Sequence, residues 1–280
     1  MGIRIITDSA SDMIEETIDN FEFIPLTVTF GEEEYQDGIN LSHKEFYEKL
    51  VESDELPHTS QATPFVFEEA YERAVADGNE VLVITMSAKL SGTWQSALTA
   101  ADSFEGKVFV VDSENVTVGE HALVDYAIRL RAQGRSAAEI AAELETAKKR
   151  IRLVALLDTL EYLKKGGRIS KAAAFAGGLL SIKPVVAVEG GEVVVLGKAR
   201  GSKQGNNLLC EEIKKAGGID FSMPHFLGYT GLSDALLQKY VRDSEALWKE
   251  ELSELRITTV GGAIGTHVGP GAIAVAFFCV

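Results

Sequence analysis

The sequence predicts an α/β protein in two parts: a parallel-sheet α/β domain over residues 1–150 and a mixed or antiparallel-sheet α/β domain over residues 151–280. Three observations predict it. In the first half, short β-branched runs alternate with amphipathic stretches, the pattern of strand–helix–strand crossovers in a parallel sheet. After Arg150 the pattern shifts to apolar runs joined by tight glycine turns, among them Gly190-Gly191, which marks a β-hairpin. At 280 residues the chain suits two cores better than one.

Taken in order, Ile3–Ile6 reads as a strand ending in Thr7-Asp8-Ser9-Ala10-Ser11-Asp12. Phe23–Phe30 reads as a second strand, and Gly31-Glu32-Glu33-Glu34 as a solvated turn. Ser42-His43-Lys44-Glu45 is a capping box for a helix through Phe46, Tyr47 and Leu50. Thr63-Pro64 is an N-cap and first-turn pair for a helix that ends near Gly78. Val81-Leu82-Val83-Ile84 is a strand buried on both faces, as in a parallel sheet. It breaks into Ser87-Ala88-Lys89-Leu90-Ser91-Gly92, and a helix runs from about Thr93 to Ser103.

Lys107–Asp112 is a further buried strand, followed by a long helix to about Gln133 and another, capped by Ser136 and Glu139, to Arg150. Beyond it come the apolar run Ile151–Leu157, a capping box at Asp158-Thr159-Leu160-Glu161, and a small-residue helix over Ala172–Leu180. Lys183–Glu189 and Glu192–Gly197 form the hairpin. Helices near Lys203–Lys215 and Ser233–Leu255 enclose the strand Phe226–Tyr229, and the chain closes with Arg256–Val260, a turn at Gly261–Gly271 and the strand Ala272–Val280.

Polar turns follow the strands of the first half, where open α/β sheets place ligands. Ser87, Ser91 and Thr93 surround Gly92 at a helix start, where backbone N–H groups lack partners and the helix dipole is positive. A lone Ser there would be a plain cap. Three hydroxyls around one glycine point instead to an anion.

The formal charge of −15 disfavours nucleic acid and an anionic membrane surface as partners. No apolar run reaches the ~18–20 residues of a membrane span. Cys210 and Cys279 read as reduced hydrophobes, which suits the cytoplasm. The five histidines lack zinc-site spacing, so no metal is expected. Gly191–Ala199 imitates a P-loop with the wrong spacing, and Lys89 stands where a hydrolase elbow around Ser91 needs glycine.

Several blocks together resemble the DegV family: Thr7-Asp8-Ser9, Tyr35-Gln36-Asp37-Gly38, Thr59-Ser60-Gln61, Leu90–Ala97, Val111-Asp112-Ser113, Leu157–Ser170, Lys183-Pro184 and His267–Ala272. Ala62-Thr63 departs from the Pro-Ser the family often carries there. The resemblance implies a two-domain protein holding one long-chain fatty acid in a tunnel between its domains. Such a protein is the lipid-binding subunit of bacterial fatty acid kinase and presents the carboxyl group to a separate ATP-binding subunit. It has no catalytic residues of its own and no cofactor. By motif, Thr59 and Ser91 would hold the carboxylate with Gly92 N–H and Thr93, while Arg200 and His267 would serve the kinase encounter.

Physical chemistry is compatible with that ligand. Burying each methylene is worth about 0.8 kcal/mol, so about fifteen give roughly 12 kcal/mol gross. Two other readings compete. One is a serine hydrolase or acyltransferase with Ser91 as nucleophile, His267 as base and Asp8, Asp112 or Asp158 orienting it. The other is a lipid sensor with no kinase partner.

Overall fold

The computed structural model describes residues 2–14, 17–169, 182–248 and 252–280. A parallel sheet of four strands forms the first layer. Its strands are β1 (Gly2–Asp8), β2 (Phe21–Ile24), β6 (Asn79–Thr85) and β7 (Val108–Asp112), in the order β2-β1-β6-β7. Ile5, Ile6, Val81, Leu82, Val83 and Ile84 are all fully buried, which is why these runs lack polar alternation. Helices α2 (Pro64–Ala76) and α3 (Thr93–Ala101) pack on this sheet, as do α4 (Thr117–Ala132) and α5 (Ala137–Ala147).

A small antiparallel sheet stands beside it, β4 (Glu33–Gln36), β3 (Thr27–Phe30) and β5 (His58–Ser60), covered by α1 (His43–Glu52). The capping boxes at Ser42 and Ser136 both form reciprocally, each serine accepting from the glutamate N–H three residues on. The expected single strand Phe23–Phe30 is two strands in different sheets. Pro25 lies between them, and its missing N–H and fixed φ favour the break.

The second layer is a six-stranded mixed sheet. It comprises β8 (Ile151–Leu156), β9 (Ile182–Glu189), β10 (Glu192–Arg200), β11 (His225–Tyr229), β12 (Ile257–Thr259) and β13 (Ile273–Phe278), ordered β10-β9-β8-β13-β11-β12. All neighbours are antiparallel except β11 and β12. Alternation sorts the two faces. Val154, Leu156, Val185, Leu227, Val275 and Phe277 join one core with residues of α7 (Gly201–Lys215) and α8 (Ala235–Asp243). Leu153, Ala155, Val186, Ala274 and Ala276 join the core shared with the parallel sheet. α4 packs against β8, β11 and β13 as well as against α5, so it stands between the layers.

Four other local expectations change. At Asp158–Glu161 no capping box forms; Leu160 is the N-cap of α6 (Glu161–Lys165), and the Thr159 hydroxyl accepts from Glu161 N–H instead. Thr63 makes no side-chain cap, although Pro64 opens α2 as read. The helix expected over Ser233–Leu255 is broken into α8 and α9 (Glu245–Trp248), because the Ser244 hydroxyl bonds back to Tyr240 O and receives Trp248 Nε1–H. The expected turn Gly261–Gly271 contains helix α10 (Gly262–Val268), whose first N–H groups are met by Asp12 and Asp37. The helix expected at Ala172–Leu180 lies outside the described residues. Cys210 and Cys279 are half-buried and unbonded to each other, less enclosed than expected. No helix among the described residues is long and apolar enough to cross a membrane.

Candidate functional site

Parallel strand register brings three polar turns to one edge. The carboxyl ends of β1, β6 and β7 lie side by side, with Thr7 opposite Ile84 and Thr85 opposite Asp112. Side chains then tie the turns together. Asp8, fully buried, accepts from Met86 N–H at 2.8 Å and Ala10 N–H at 3.0 Å; burial pushes its carboxyl up to about 7. Asp112 accepts from Ala88 N–H at 3.2 Å and Glu114 N–H at 2.8 Å. The Ser87 hydroxyl donates to Gly191 O at 2.8 Å, holding the β9–β10 hairpin tip against the same edge.

Above these turns lies a cavity of about 340 Å³. Thr59, Ser91, Gly92, Arg168 and His267 line it, with Leu26, Val116, Leu163 and Ile264 among the apolar walls. Ser91 Oγ lies 2.9 Å from Thr93 Oγ1 and accepts from Thr93 N–H at 3.3 Å. Gly92 is the N-cap of α3, so the unpaired amides of the helix start open beside these hydroxyls. The Gln61 amide covers Gly92 closely, since a Cβ there would stand 2.0 Å from Gln61 Oε1. Gln61 Nε2 also donates to Ser96 Oγ at 3.0 Å, which ties β5 to α3.

Thr59 Oγ1 and His267 Nε2 are 2.9 Å apart. His267 Nδ1 is buried against Gly166 and has no hydrogen-bond partner among the described residues. Burial and the Arg168 charge push this imidazole down from 6.5 to about 4. It is therefore neutral near pH 7. Because the folded form holds the proton less tightly than the unfolded chain, the associated stability is complete above about 6.5 and is lost as pH falls to about 4. His267→Gln should remove this slope: urea unfolding at pH 7.5 and pH 5 should show the wild-type advantage shrinking at the lower pH. An advantage that is the same at both would overturn it.

The structure thus brings Thr59, Ser91, Gly92 and His267 to one cavity, with Thr93 behind Ser91. Arg200 lines neither this cavity nor those adjoining it; it ends edge strand β10, exposed, with its N–H donating to Gln204 Oε1 at 2.7 Å. Among the described residues, the cation lining this cavity is Arg168. It donates to Leu90 O at 3.1 Å and Gly166 O at 2.8 Å, and no carboxylate among the described residues pairs with it. The only sequence signal for it is its place beside Gly166-Gly167 in the Leu157–Ser170 block.

Two more spaces adjoin the cavity. A smaller one of about 60 Å³ shares Val116, Leu163, Val193, Ile264 and Val268 with it and runs under the second sheet. Its floor includes Ala155, Ala274 and Gly228, which are register partners across β8, β13 and β11. An outer cleft of about 450 Å³ shares Thr59, Arg168 and His267. Those three side chains line both spaces and stand between them. An anionic head joined to an apolar tail matches this polarity.

A Ser–His–Asp hydrolase arrangement is not formed. His267 Nε2 is engaged by Thr59, and its Nδ1 meets no carboxylate among the described residues. Asp8 and Asp112 hold backbone amides, and Asp158 pairs with Lys183.

Comparisons with known proteins agree with this architecture. A DegV domain-containing protein from Caldanaerobacter subterraneus subsp. tengcongensis is 35% identical over 280 residues, covering 98% of each chain. A solved structure described as fatty acid binding of a DegV family protein from Thermus thermophilus is 30% identical, covers 100% of both chains and superposes with a TM-score of 0.89. The Streptococcus pneumoniae fatty acid kinase B3 protein, loaded with linoleic acid, is 24% identical over 100% of both chains with a TM-score of 0.85 and shares the fold. The sequence model of the DegV family of uncharacterised proteins matches residues 2–279, so the parallel sheet, the mixed sheet and the turns between them are those of a member, and the chain belongs to the DegV family.

Proposed function

We propose that this protein binds a long-chain fatty acid and presents its carboxylate to a separate ATP-binding kinase subunit for acyl phosphate formation. The observation that carries this reading is the junction of a mouth of hydroxyl and amide donors with an apolar cavity. In it, Thr59, Ser91 and Gly92 N–H hold the carboxylate, Thr93 supports Ser91 from behind, and the tail runs inward past Val116, Leu163 and Ile264. The hydroxyl and amide donors, with Arg168 lining the same cavity, offset the several kcal/mol that a bare buried carboxylate costs. They also leave it nucleophilic: a carboxylate oxygen forms a bond to the γ-phosphorus of ATP and ADP departs.

His267 stands in the wall between the inner cavity and the outer cleft, a suitable place to meet an incoming phosphoryl group. Arg200 acts, in this reading, at the kinase docking surface rather than on the lipid. The chain needs no cofactor or metal for this role and works in the cytoplasm, where its ATP-binding partner is supplied. The fatty acid binding of the Thermus thermophilus relative supports the ligand. The name of the Streptococcus pneumoniae protein suggests the kinase by analogy.

Protein purified from cells without added lipid should carry close to one fatty acid per chain by native mass spectrometry. Bare protein that takes up neither oleate nor palmitate would sink the proposal. A matched ATP-binding subunit should convert the bound lipid to acyl phosphate; binding without turnover by any such subunit would leave a sensor.

A further inference from the structure

Two of the polar blocks, Thr7–Ser9 and Tyr35–Gly38, line none of the three spaces. They converge instead on the start of α10, the helix that carries His267 near its other end. Asp12 Oδ1 accepts from Gly261 N–H at 2.7 Å. Asp37 accepts from Gly262 N–H at 2.8 Å with one oxygen and from Ala263 N–H at 3.1 Å with the other. The Ser9 hydroxyl donates to Asp37 at 3.0 Å, and the Thr117 hydroxyl donates to Asp12. Asp37 is 0% exposed and Asp12 4%.

We infer that Asp12 and Asp37 are positioning residues for the head-group site, acting through α10 on His267; this rests on the reading of Thr59, Ser91 and His267 as that site. Capping a helix needs only one neutral acceptor. Here two buried carboxyl groups meet three consecutive amides, those of Gly261, Gly262 and Ala263, at 2.7–3.1 Å. Desolvation pushes both carboxyls upward, while the amide bonds, and for Asp37 the neighbouring His43, pull down. Glycine is required at the contact: a Cβ on Gly261 would stand 2.5 Å from His43 Nε2, and one on Gly262 3.0 Å from Asp37 Oδ1.

The helix has seven residues, about 10 Å of rigid rod. Its flank is also fixed, because Gly265 packs on Phe46 and Tyr47, and Tyr47 Oη donates to Val260 O at 2.8 Å. A displacement at Gly262 is therefore carried to His267, where a hydrogen bond of 2.9 Å to Thr59 leaves little tolerance. The carboxylates come from the first part of the chain, as does Thr59, so the imidazole is set against its partner by the same body that supplies the partner.

The test uses full-length protein labelled with 15N in its histidine rings. The Thr59→Val spectrum defines the His267 nitrogen shifts without the Thr59 bond. Asp37→Asn should move the His267 signals towards that spectrum and weaken palmitate binding roughly ten-fold. If Asp37→Asn does not fold, Asp12→Asn and the milder Ser9→Ala, which removes one donor from Asp37, are read in the same way. His267 signals unchanged from wild type in the folded variants, whatever the loss of thermal stability, overturn the proposal. The ring signals are recorded without added lipid, so they decide it even if wild type fails to bind palmitate; that failure would count against the fatty acid reading alone.

Discussion

Ala274→Phe should leave the protein folded and deprive it of long acyl chains. Ala274 is central in the row Ala155–Ala274–Gly228, and its small side chain leaves the floor of the apolar cavity open. A benzyl group there fills the space that the proposed acyl chain needs for its distal methylenes. Each methylene left unburied forfeits about 0.8 kcal/mol, so displacing five or so costs roughly 4 kcal/mol and lowers palmitate affinity at least 100-fold. Octanoate, too short to reach the floor, should bind with unchanged affinity. Overpacking lowers stability by about 1–3 kcal/mol, which thermal unfolding will register. Fluorescence displacement with both acids checks the result. Undiminished palmitate affinity in a folded variant would place the tail elsewhere.

Combining Thr59→Val with Ser91→Ala should abolish head-group recognition. Ser91→Ala alone removes one or two hydrogen bonds to a charged group, about 1.5–3 kcal/mol each, and should weaken binding tens-fold. The lost bond from Thr93 N–H is worth only about 1 kcal/mol, so the fold survives. Thr59→Val should cost more than Ser91→Ala, because it also leaves His267 Nε2 without its partner beside a buried Nδ1 that has none among the described residues. Methyl palmitate, which has no carboxylate charge, should lose far less affinity than palmitate in the double variant. Equal losses for acid and ester would return both residues to structural roles.

How much was legible follows from where the determining contacts lie along the chain. Capping at Ser42 and Ser136 depends on residues three apart, and both boxes form as read. The parallel strands announce themselves through runs such as Val81–Ile84, apolar on both faces. Helix α10 does not. Two of its seven residues are glycine and glycines flank it at both ends, which argues against a helix, and its stabilising acceptors are Asp12 and Asp37, more than two hundred residues away. Among site residues, Thr59 stands in a polar strand and Ser91 in a polar turn, and both mark themselves. Arg168 works through carbonyls of Leu90 and Gly166, and Gln61 through an amide laid over Gly92; neither contact has a sequence period. The proximity of His267 to Thr59 belongs to the same class, a product of two separate elements meeting.

The place of β13 has a consequence for how the molecule is made. This last strand is inserted between β8 and β11, pairing Leu156 with Ile273 and Leu227 with Val275. During synthesis β8 emerges long before its neighbour, and the cavity floor stays incomplete until Ala274 arrives. The parallel sheet, built wholly from residues before 113, can assemble earlier on the ribosome. Closing the large loop between β8 and β13 is entropically slow, which makes insertion of the final strand the natural late step of folding. The enclosed space is then a late product of folding: Ser91 and Thr59 are made early, but the floor beneath them closes only when β13 enters between β8 and β11.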